Sequence, residues 1–206
     1  MHVLGYWIDP TDEPLQAEVD RLRNERERRA EQIVEKFHGL DVPVSLQRVH
    51  ELAGEAPIGR PHIARAVLET GAVATIQEVF DVYLADDGPA YVPKYAVDPV
   101  RAVELLIGAG GVAVVAHPGL FGSRNQDEPG LPDDAIEAMV DAGMAGIEAD
   151  HPDHTDDNRT HYRDLARAHR LVVTAGSDFH GGARDKRIGE ARTTDEDFAR
   201  LQDARD

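Results

Sequence analysis

Histidine and aspartate side chains stand beside apolar segments at several places in this chain. The stretch LVVTAGSDFHG carries Asp178 and His180, VAVVAHPG carries His117, and the short segment HVLGY begins with His2. Imidazole and carboxylate groups are suitable ligands for Mn²⁺, Fe²⁺ or Zn²⁺, and sites that combine them around paired ions are typical of hydrolytic enzymes. This pattern indicates a metal site for hydrolysis, although a lone histidine at such a position is more often a hydrogen-bonded structural residue.

A second group of polar residues lies in GIEADHPDH, which contains Glu148, Asp150, His151 and His154. A metal-bound imidazole commonly donates its second ring N–H to a carboxylate or carbonyl, which fixes the ring. We expect Glu148 to support a ligating histidine in this way, with His151 beside it, and direct ligation is the less favoured alternative. The pattern gives no separate role to His154.

Composition narrows the classes of function. The chain of 206 residues contains no cysteine, so a metal site must use His, Asp or Glu. Its formal net charge of −17 argues against stable binding of polymeric nucleic acid, which needs dense Lys and Arg. No long apolar run and no secretory signal pattern are present, so we expect a cytoplasmic protein without a membrane partner.

The order of apolar patterns divides the chain into two kinds of structure. Between residues 12 and 96 the apolar positions recur at helical spacing, which predicts one long helix and three short ones, in PLQAEVDRLRNERERRAEQIVEKF, SLQRVHELAG, RPHIARAVLETG and TIQEVFDVYLADDG. From VAVVAHPG onward, apolar runs alternate with helical patterns, which is typical of parallel β/α units. We therefore expect an α/β domain of residues 1–11 and 97–206, with residues 12–96 inserted as a helical domain.

The segments HVLGY, GRPHIAR, YVPKY, VVAHPG, GIEADHPDHT and SDFHG follow one another in the order found in the PHP (polymerase and histidinol phosphatase) superfamily, and the chain resembles its stand-alone phosphoesterases. The resemblance implies a distorted (β/α)7 barrel with an inserted helical domain. It implies two or three ions, usually Mn²⁺, with Zn²⁺, Fe²⁺ or Mg²⁺ as alternatives. The ligands that it implies are His2, His117, Asp178 and His180, and the last three of these are the candidate catalytic residues.

The branch that the chain resembles most implies a small phosphorylated substrate. Its members hydrolyse phosphate monoesters of 3′,5′-bisphosphonucleotides or act on the 5′ ends of short RNA, using metal-activated water. We expect the same reaction here, with a nucleotide or a short oligonucleotide as the substrate. Two alternatives stay open: a histidinol-phosphate type phosphatase, and a non-catalytic PHP-domain fragment with a structural role.

The resemblance is incomplete at the N-terminus. The family opens with a strand that carries His-x-His, followed by an Asp, a His and a Glu, all ahead of the segment that corresponds to HVLGY. This sequence has no counterpart of them. We therefore expect an N-terminally truncated barrel, in which tight binding of several metal ions by this chain alone is in doubt.

Arginines form a second group of candidate residues, because the guanidinium fork matches a phosphate group. Arg26 and Arg29 lie on the long helix and match a paired arginine pattern of the branch, while ion pairs with neighbours such as Glu25 are the competing interpretation. In GRPHIAR, Arg60 and His62 stand at a helix start, where the helix dipole favours an anion. We expect these four residues to contact substrate, with the inserted domain acting as a lid.

Overall fold

Four strands form one sheet in the computed structural model, which describes residues 1–121, 130–179 and 187–205. The strands are β1 (His2–Tyr6), β2 (Val112–Ala116), β3 (Gly146–Asp150) and β4 (Val172–Ala175), and they lie side by side in this order. Strands β2, β3 and β4 run parallel, as the sequence predicts.

Strand β1 departs from a wholly parallel arrangement because it runs antiparallel to β2. Parallel neighbours need a crossover connection of a dozen or more residues, and the chain between β1 and β2, which includes the whole helical block, is long enough for either strand direction. The register pairs His2 with Ala116. As a result, the first residue of β1 lies at the edge of the sheet where the parallel strands end.

The chain divides into two units. The first comprises Met1–Leu15 and Val97–Asp206, and the second comprises Gln16–Ala96. The sheet belongs to the first unit, together with helices α5 (Pro99–Gly108), α6 (Asp133–Asp141), α7 (Asp156–His169) and α8 (Asp195–Asp203), which we number after those of the second unit. None of the helices in the described part of the chain has both the length and the apolar composition needed to cross a bilayer.

Both faces of the sheet are covered, which explains the uninterrupted apolar run of β2. Alternate strand residues such as Ala113, Val115 and Ile147 pack in one cluster with apolar side chains of α5, α6 and α7. The residues between them, including Val112 and Val114, pack in another cluster with Leu201 of α8. Full burial of a Val, Leu or Ile side chain contributes about 1.5–3 kcal/mol, so these layers hold the strand ends in fixed positions.

The second unit is helical and has its own core. Its helices are α1 (Glu13–His38), α2 (Leu46–Ala53), α3 (Arg60–Glu69) and the short α4 (Ile76–Glu78). Ser45 and Thr75 accept hydrogen bonds from backbone N–H groups at the starts of α2 and α4, as expected of N-cap residues. The core contains buried residues of every longer helix, among them Phe37, Val49 and Ile63.

The pattern TIQEVFDVYLADDG was predicted as one helix, and this is wrong in detail. Helix α4 ends after one turn, and the chain continues as a π-helical turn over Val79–Tyr83. The Leu84 N–H donates to the carbonyl of Val79 at 2.9 Å, which closes the wider turn. Period-3.6 spacing does not distinguish a π turn from the helix that it extends.

Candidate metal centre and anion-binding residues

Two histidines meet at the edge of the sheet where β2 ends. His2 begins β1 and His117 directly follows β2, so the antiparallel pairing brings the two residues to the same edge. Nδ1 of His2 lies 3.3 Å from Nε2 of His117, and the two rings are nearly perpendicular. The sheet therefore joins two of the four candidate ligands, although they are far apart in sequence.

The spacing of these two nitrogens suits ligation of a single divalent ion. Two nitrogen ligands at bond lengths of about 2.1 Å lie roughly 3.0–3.4 Å apart around one octahedral or tetrahedral ion. Within residues 1–121, 130–179 and 187–205, however, no three His, Asp or Glu side chains group closely enough to hold a metal ion. The described residues thus supply a two-imidazole pair that fits a metal ion, without a third ligand.

Asp178 follows β4, whose register places its end beside the end of β3. Asp178 has a left-handed backbone with φ of 48°, a conformation that Asp tolerates better than most residues. His180, the fourth candidate ligand, lies outside the described residues.

The backbone of His117 is also left-handed, with φ of 30° and ψ of 57°. For a residue with a Cβ atom this conformation costs about 1–2 kcal/mol, so the surroundings must hold it. Oε2 of Glu148 accepts a hydrogen bond from the His117 backbone N–H at 2.9 Å. This contact with the backbone differs from the expected contact with a histidine ring.

Glu148 itself is only 5% exposed and lies within β3. A Cβ atom built on Gly176 would overlap its carboxylate, so the chain leaving β4 passes directly against this group. Burial, and then the charge of Glu148, raise the pKa of the Tyr6 hydroxyl on β1. The carboxylate is therefore enclosed by residues of three strands or their ends.

His151 and His154 are both buried, at 1% and 3% exposure. The His151 ring packs between those of His117 and His154, with centroid distances of 5.5 Å and 5.4 Å. Its Nδ1 accepts the Asp153 N–H at 3.2 Å, so His151 is fixed by its own loop beside the histidine pair.

The role of His154, which sequence reasoning missed, is structural. Its Nδ1 lies 2.9 Å from the Ala149 carbonyl, and its Nε2 accepts the Gly119 N–H at 3.1 Å. These partners assign a neutral ring with the proton on Nδ1. Burial lowers the pKa of His154, which also favours the neutral ring. The ring ties the end of β3 to the turn after β2, and Gly119 leaves the space that the ring occupies.

Asp150, the remaining carboxylate of GIEADHPDH, is held by an arginine. Both of its carboxylate oxygens lie 2.8 Å from Nη2 of Arg163 on α7. The same ion pair raises the pKa of Arg163. Asp150 therefore forms an ion pair that joins β3 to α7.

The second unit contains a cluster of cations. Burial lowers the pKa of Lys94, and the charges of Arg26, Arg29 and Arg60 lower it further. Burial and then Arg60 also lower the pKa of Arg29. Lys94, Arg26, Arg29 and Arg60 therefore lie close enough together for their positive charges to repel one another, and such a cluster favours an anion. Lys94, from YVPKY, is the member of this cluster that sequence reasoning missed.

The competing ion-pair interpretation for Arg26 and Arg29 is not what the structure shows. Glu25 pairs with Arg28 at 3.2 Å, whereas Arg29 donates through Nε to the Val92 carbonyl at 2.8 Å. Among the described residues Arg26 has neither a hydrogen-bond nor an ion-pair partner. Among the described residues, neither arginine therefore forms an ion pair with an acidic residue of α1.

At the start of α3, Nδ1 of His62 accepts the Gly59 N–H at 3.1 Å, so its Nε2 carries the proton whenever the ring is neutral. Arg60 donates to the Leu84 carbonyl at 3.3 Å and retains its other N–H groups. Helix α3 thus begins with two side chains that can donate to an anion.

No family model matches this chain. The chain is 31% identical over 189 residues to the 3′,5′-nucleoside bisphosphate phosphatase of Chromobacterium violaceum, covering 90% of this chain and 65% of that protein. It is 32% identical over 181 residues to the 5′-3′ exoribonuclease Rnm of Escherichia coli strain K12, covering 87% of this chain and 60% of that protein. The chain therefore spans less than two thirds of the length of these two relatives.

The chain is also similar to a solved structure. It is that of a Bifidobacterium adolescentis protein assigned as a metal-dependent phosphoesterase, with a TM-score of 0.82 and 30% identity. The match covers 98% of this chain and 71% of that protein. Together with the ordered motifs and the paired histidines at the end of β2, these likenesses show that the chain belongs to the PHP superfamily.

Proposed function

We propose that this chain carries the site of a metal-dependent phosphoesterase that hydrolyses phosphate monoesters of nucleotides. The observation that carries the proposal is the pair formed by His2 and His117, whose facing nitrogens are spaced as ligands of one ion. The four-stranded sheet would then be part of the distorted (β/α)7 barrel that the family resemblance implies, with its ligands at the carboxyl ends of the parallel strands.

The metal-holding residues in this proposal are His2, His117, Asp178 and His180. Mn²⁺ is the first choice of ion, and Zn²⁺, Fe²⁺ or Mg²⁺ are alternatives. Such an ion lowers the pKa of a water molecule and stabilises negative charge on phosphoryl oxygens. The protein fixes the two imidazoles on neighbouring strands, and His151 packs against His117 and keeps solvent from that side of its ring.

The substrate-binding residues in this proposal are Arg26, Arg29, Arg60 and His62, to which we add Lys94 because their charges act on it. These cations share a small region of a chain whose net charge is −17, and their mutual repulsion is relieved when an anion binds between them. Guanidinium groups supply paired N–H donors, and His62 supplies one N–H through Nε2. The second unit would therefore bind a phosphate group of the substrate.

We infer a 3′,5′-bisphosphonucleotide, or the 5′ end of a short RNA, as the substrate. The two relatives described above are a bisphosphate phosphatase and an exoribonuclease by name, and the cation cluster of the second unit suits a phosphate group. A single small monoester has no second phosphate for these cations. Selectivity for the larger substrate would come from the cation cluster.

The experiment is a phosphate-release assay on the full chain with Mn²⁺, comparing a 3′,5′-bisphosphonucleotide with p-nitrophenyl phosphate. Charge-assisted bonds to a second phosphate are worth about 2–3 kcal/mol, so we expect kcat/KM to be about 30- to 150-fold higher for the nucleotide. Chelation should abolish release, and added Mn²⁺ should restore it. A chain that binds less than one equivalent of Mn²⁺ and cleaves neither compound would instead be a non-catalytic PHP-domain fragment with a structural role.

A further inference from the structure

The carboxylate of Glu148 lies between the ends of two strands that carry proposed ligands. On one side Oε2 accepts the His117 N–H at the end of β2. On the other side the chain leaving β4 passes so close that only a glycine fits at position 176. Glu148 is only 5% exposed, so its carboxylate is largely shielded from water. In such a buried position a hydrogen bond to a charged acceptor is stronger than at the protein surface.

The hydrogen bond acts on a residue whose conformation needs support. His117 has a left-handed backbone, and the direction of its N–H is fixed by the same φ angle that fixes the direction of its Cα–Cβ bond. Holding the N–H against Glu148 therefore also fixes the direction of the Cα–Cβ bond from which the imidazole reaches His2, with its Nε2 3.3 Å from Nδ1 of that residue.

We infer that Glu148 is a positioning residue, whose carboxylate holds the His117 backbone in its left-handed conformation and thereby directs the His117 imidazole at His2. This inference rests on the proposed metal centre for its functional consequence. It assigns Glu148 to the backbone of a ligand residue, whereas an outer carboxylate at a metal site ordinarily acts on the ligand ring.

Gly176 is the complementary part of this arrangement. Its φ lies outside the left-handed region, so an alanine is compatible with the backbone there. The carboxylate of Glu148 is the group that an alanine Cβ would meet. Gly176→Ala should therefore displace Glu148, and the substitution should be harmless once that carboxylate is gone.

The test is a double-mutant cycle on the full chain with Glu148→Ala, Gly176→Ala and the combined variant. Glu148→Gln retains an acceptor oxygen without the charge, and Glu196→Gln, at an exposed position of α8, is the control. Two quantities are measured: hydrogen exchange of the His117 amide in the metal-free ¹⁵N-labelled protein, and Mn²⁺ affinity by electron paramagnetic resonance.

We expect Glu148→Ala to speed exchange of the His117 amide more than tenfold and to weaken Mn²⁺ binding about 10- to 100-fold. Glu148→Gln should lose less than Glu148→Ala on both measures, and the control should match wild type. Gly176→Ala should reproduce the losses in the wild-type background and add nothing in the Glu148→Ala background.

Unchanged exchange at His117 in Glu148→Ala would overturn the inference, as would an equal effect of Gly176→Ala in both backgrounds. If Glu148→Ala does not fold, Glu148→Gln and Gly176→Ala decide the question by the same measurements. A wild-type chain that binds no Mn²⁺ would refute the proposed function, while amide exchange would still show whether Glu148 holds His117.

Discussion

The imidazoles of His2 and His117 lie with ring nitrogens 3.3 Å apart, although 115 positions separate them in the chain. The antiparallel direction of β1 produces this contact, because it places the first residue of β1 beside the last residue of β2. A parallel β1 would have put His2 at the opposite edge of the sheet. The contact requires a shared cation or proton, since two lone pairs at this distance repel each other.

His117→Ala should weaken Mn²⁺ binding by at least tenfold, because one of the two paired nitrogens is lost. Isothermal titration of Mn²⁺ into the metal-free protein measures the change. His161→Ala is the matched control, since His161 is 46% exposed on α7 and bonds to Asp133. Equal affinities for wild type and His117→Ala would show that the histidine pair is not a metal site.

Asp178→Asn should remove most metal-dependent phosphatase activity while barely changing the fold, since an uncharged amide is a poorer ligand than a carboxylate. Turnover at saturating Mn²⁺ and the melting temperature are the two measurements. Asp141→Asn, at the exposed end of α6, controls for the loss of one negative charge. Wild-type turnover by Asp178→Asn would exclude Asp178 as a ligand.

Several elements could be predicted from sequence because their signals are local. The charged amphipathic pattern before His38 predicts α1, and Ser45 predicts the start of α2. The continuous apolar run at Val112–Ala116 predicts a strand that is buried on both faces. Each of these follows from the period of apolar residues or from capping chemistry within a few residues.

Other features could not be predicted because they depend on contacts distant in sequence. The direction of β1 is set by pairing with a strand beyond the helical block, and sequence period does not report direction. Lys94 joins Arg26, Arg29 and Arg60 only after folding. Glu148 could be assigned near a ligand from sequence, but its hydrogen bond to a backbone N–H has no sequence signal.

His154→Ala should destabilise the first unit by about 2–4 kcal/mol, because the Gly119 N–H and the Ala149 carbonyl each lose a buried partner. Urea unfolding followed by circular dichroism measures the free energy of unfolding. His169→Ala is the control, since that ring is 27% exposed and lies 3.8 Å from Glu137. A loss no greater than that of the control would mean that His154 does not clamp the two loops.

Arg60→Ala or Arg26→Ala should lower kcat/KM for a 3′,5′-bisphosphonucleotide, and the loss should correspond to about 2–3 kcal/mol of transition-state stabilisation. The value for p-nitrophenyl phosphate should change little. The reason is that these side chains are proposed to bind the phosphate that the smaller substrate lacks. Arg23→Ala provides the control, because Arg23 is 69% exposed and pairs with Asp20. Equal losses on both substrates would mean that the arginines hold the fold or the reacting phosphate.

Lys94 gives the binding of a bisphosphonucleotide a distinctive dependence on pH. Burial and three arginines lower the pKa of Lys94 below its ordinary 10.5 in the free protein, whereas a bound phosphate favours the charged ammonium and raises that pKa. At pH values between the pKa of Lys94 in the free protein and its pKa in the complex, binding is therefore accompanied by the uptake of protons. Affinity should be greatest where Lys94 is already charged, and it should fall as the pH rises from the lowered pKa towards the pKa of the complex.

The measurement is titration calorimetry of the nucleotide into metal-free protein at several alkaline pH values, in buffers of different ionisation enthalpy. The phosphate groups are already dianionic in this range, since their second pKa is about 6. Lys94→Arg should bind with little pH dependence, because arginine stays charged throughout. Lys36→Arg, the other lysine of the second unit, should behave like wild type. The same pH dependence in Lys94→Arg as in wild type would mean that another group takes up the proton and that Lys94 does not contact the phosphate.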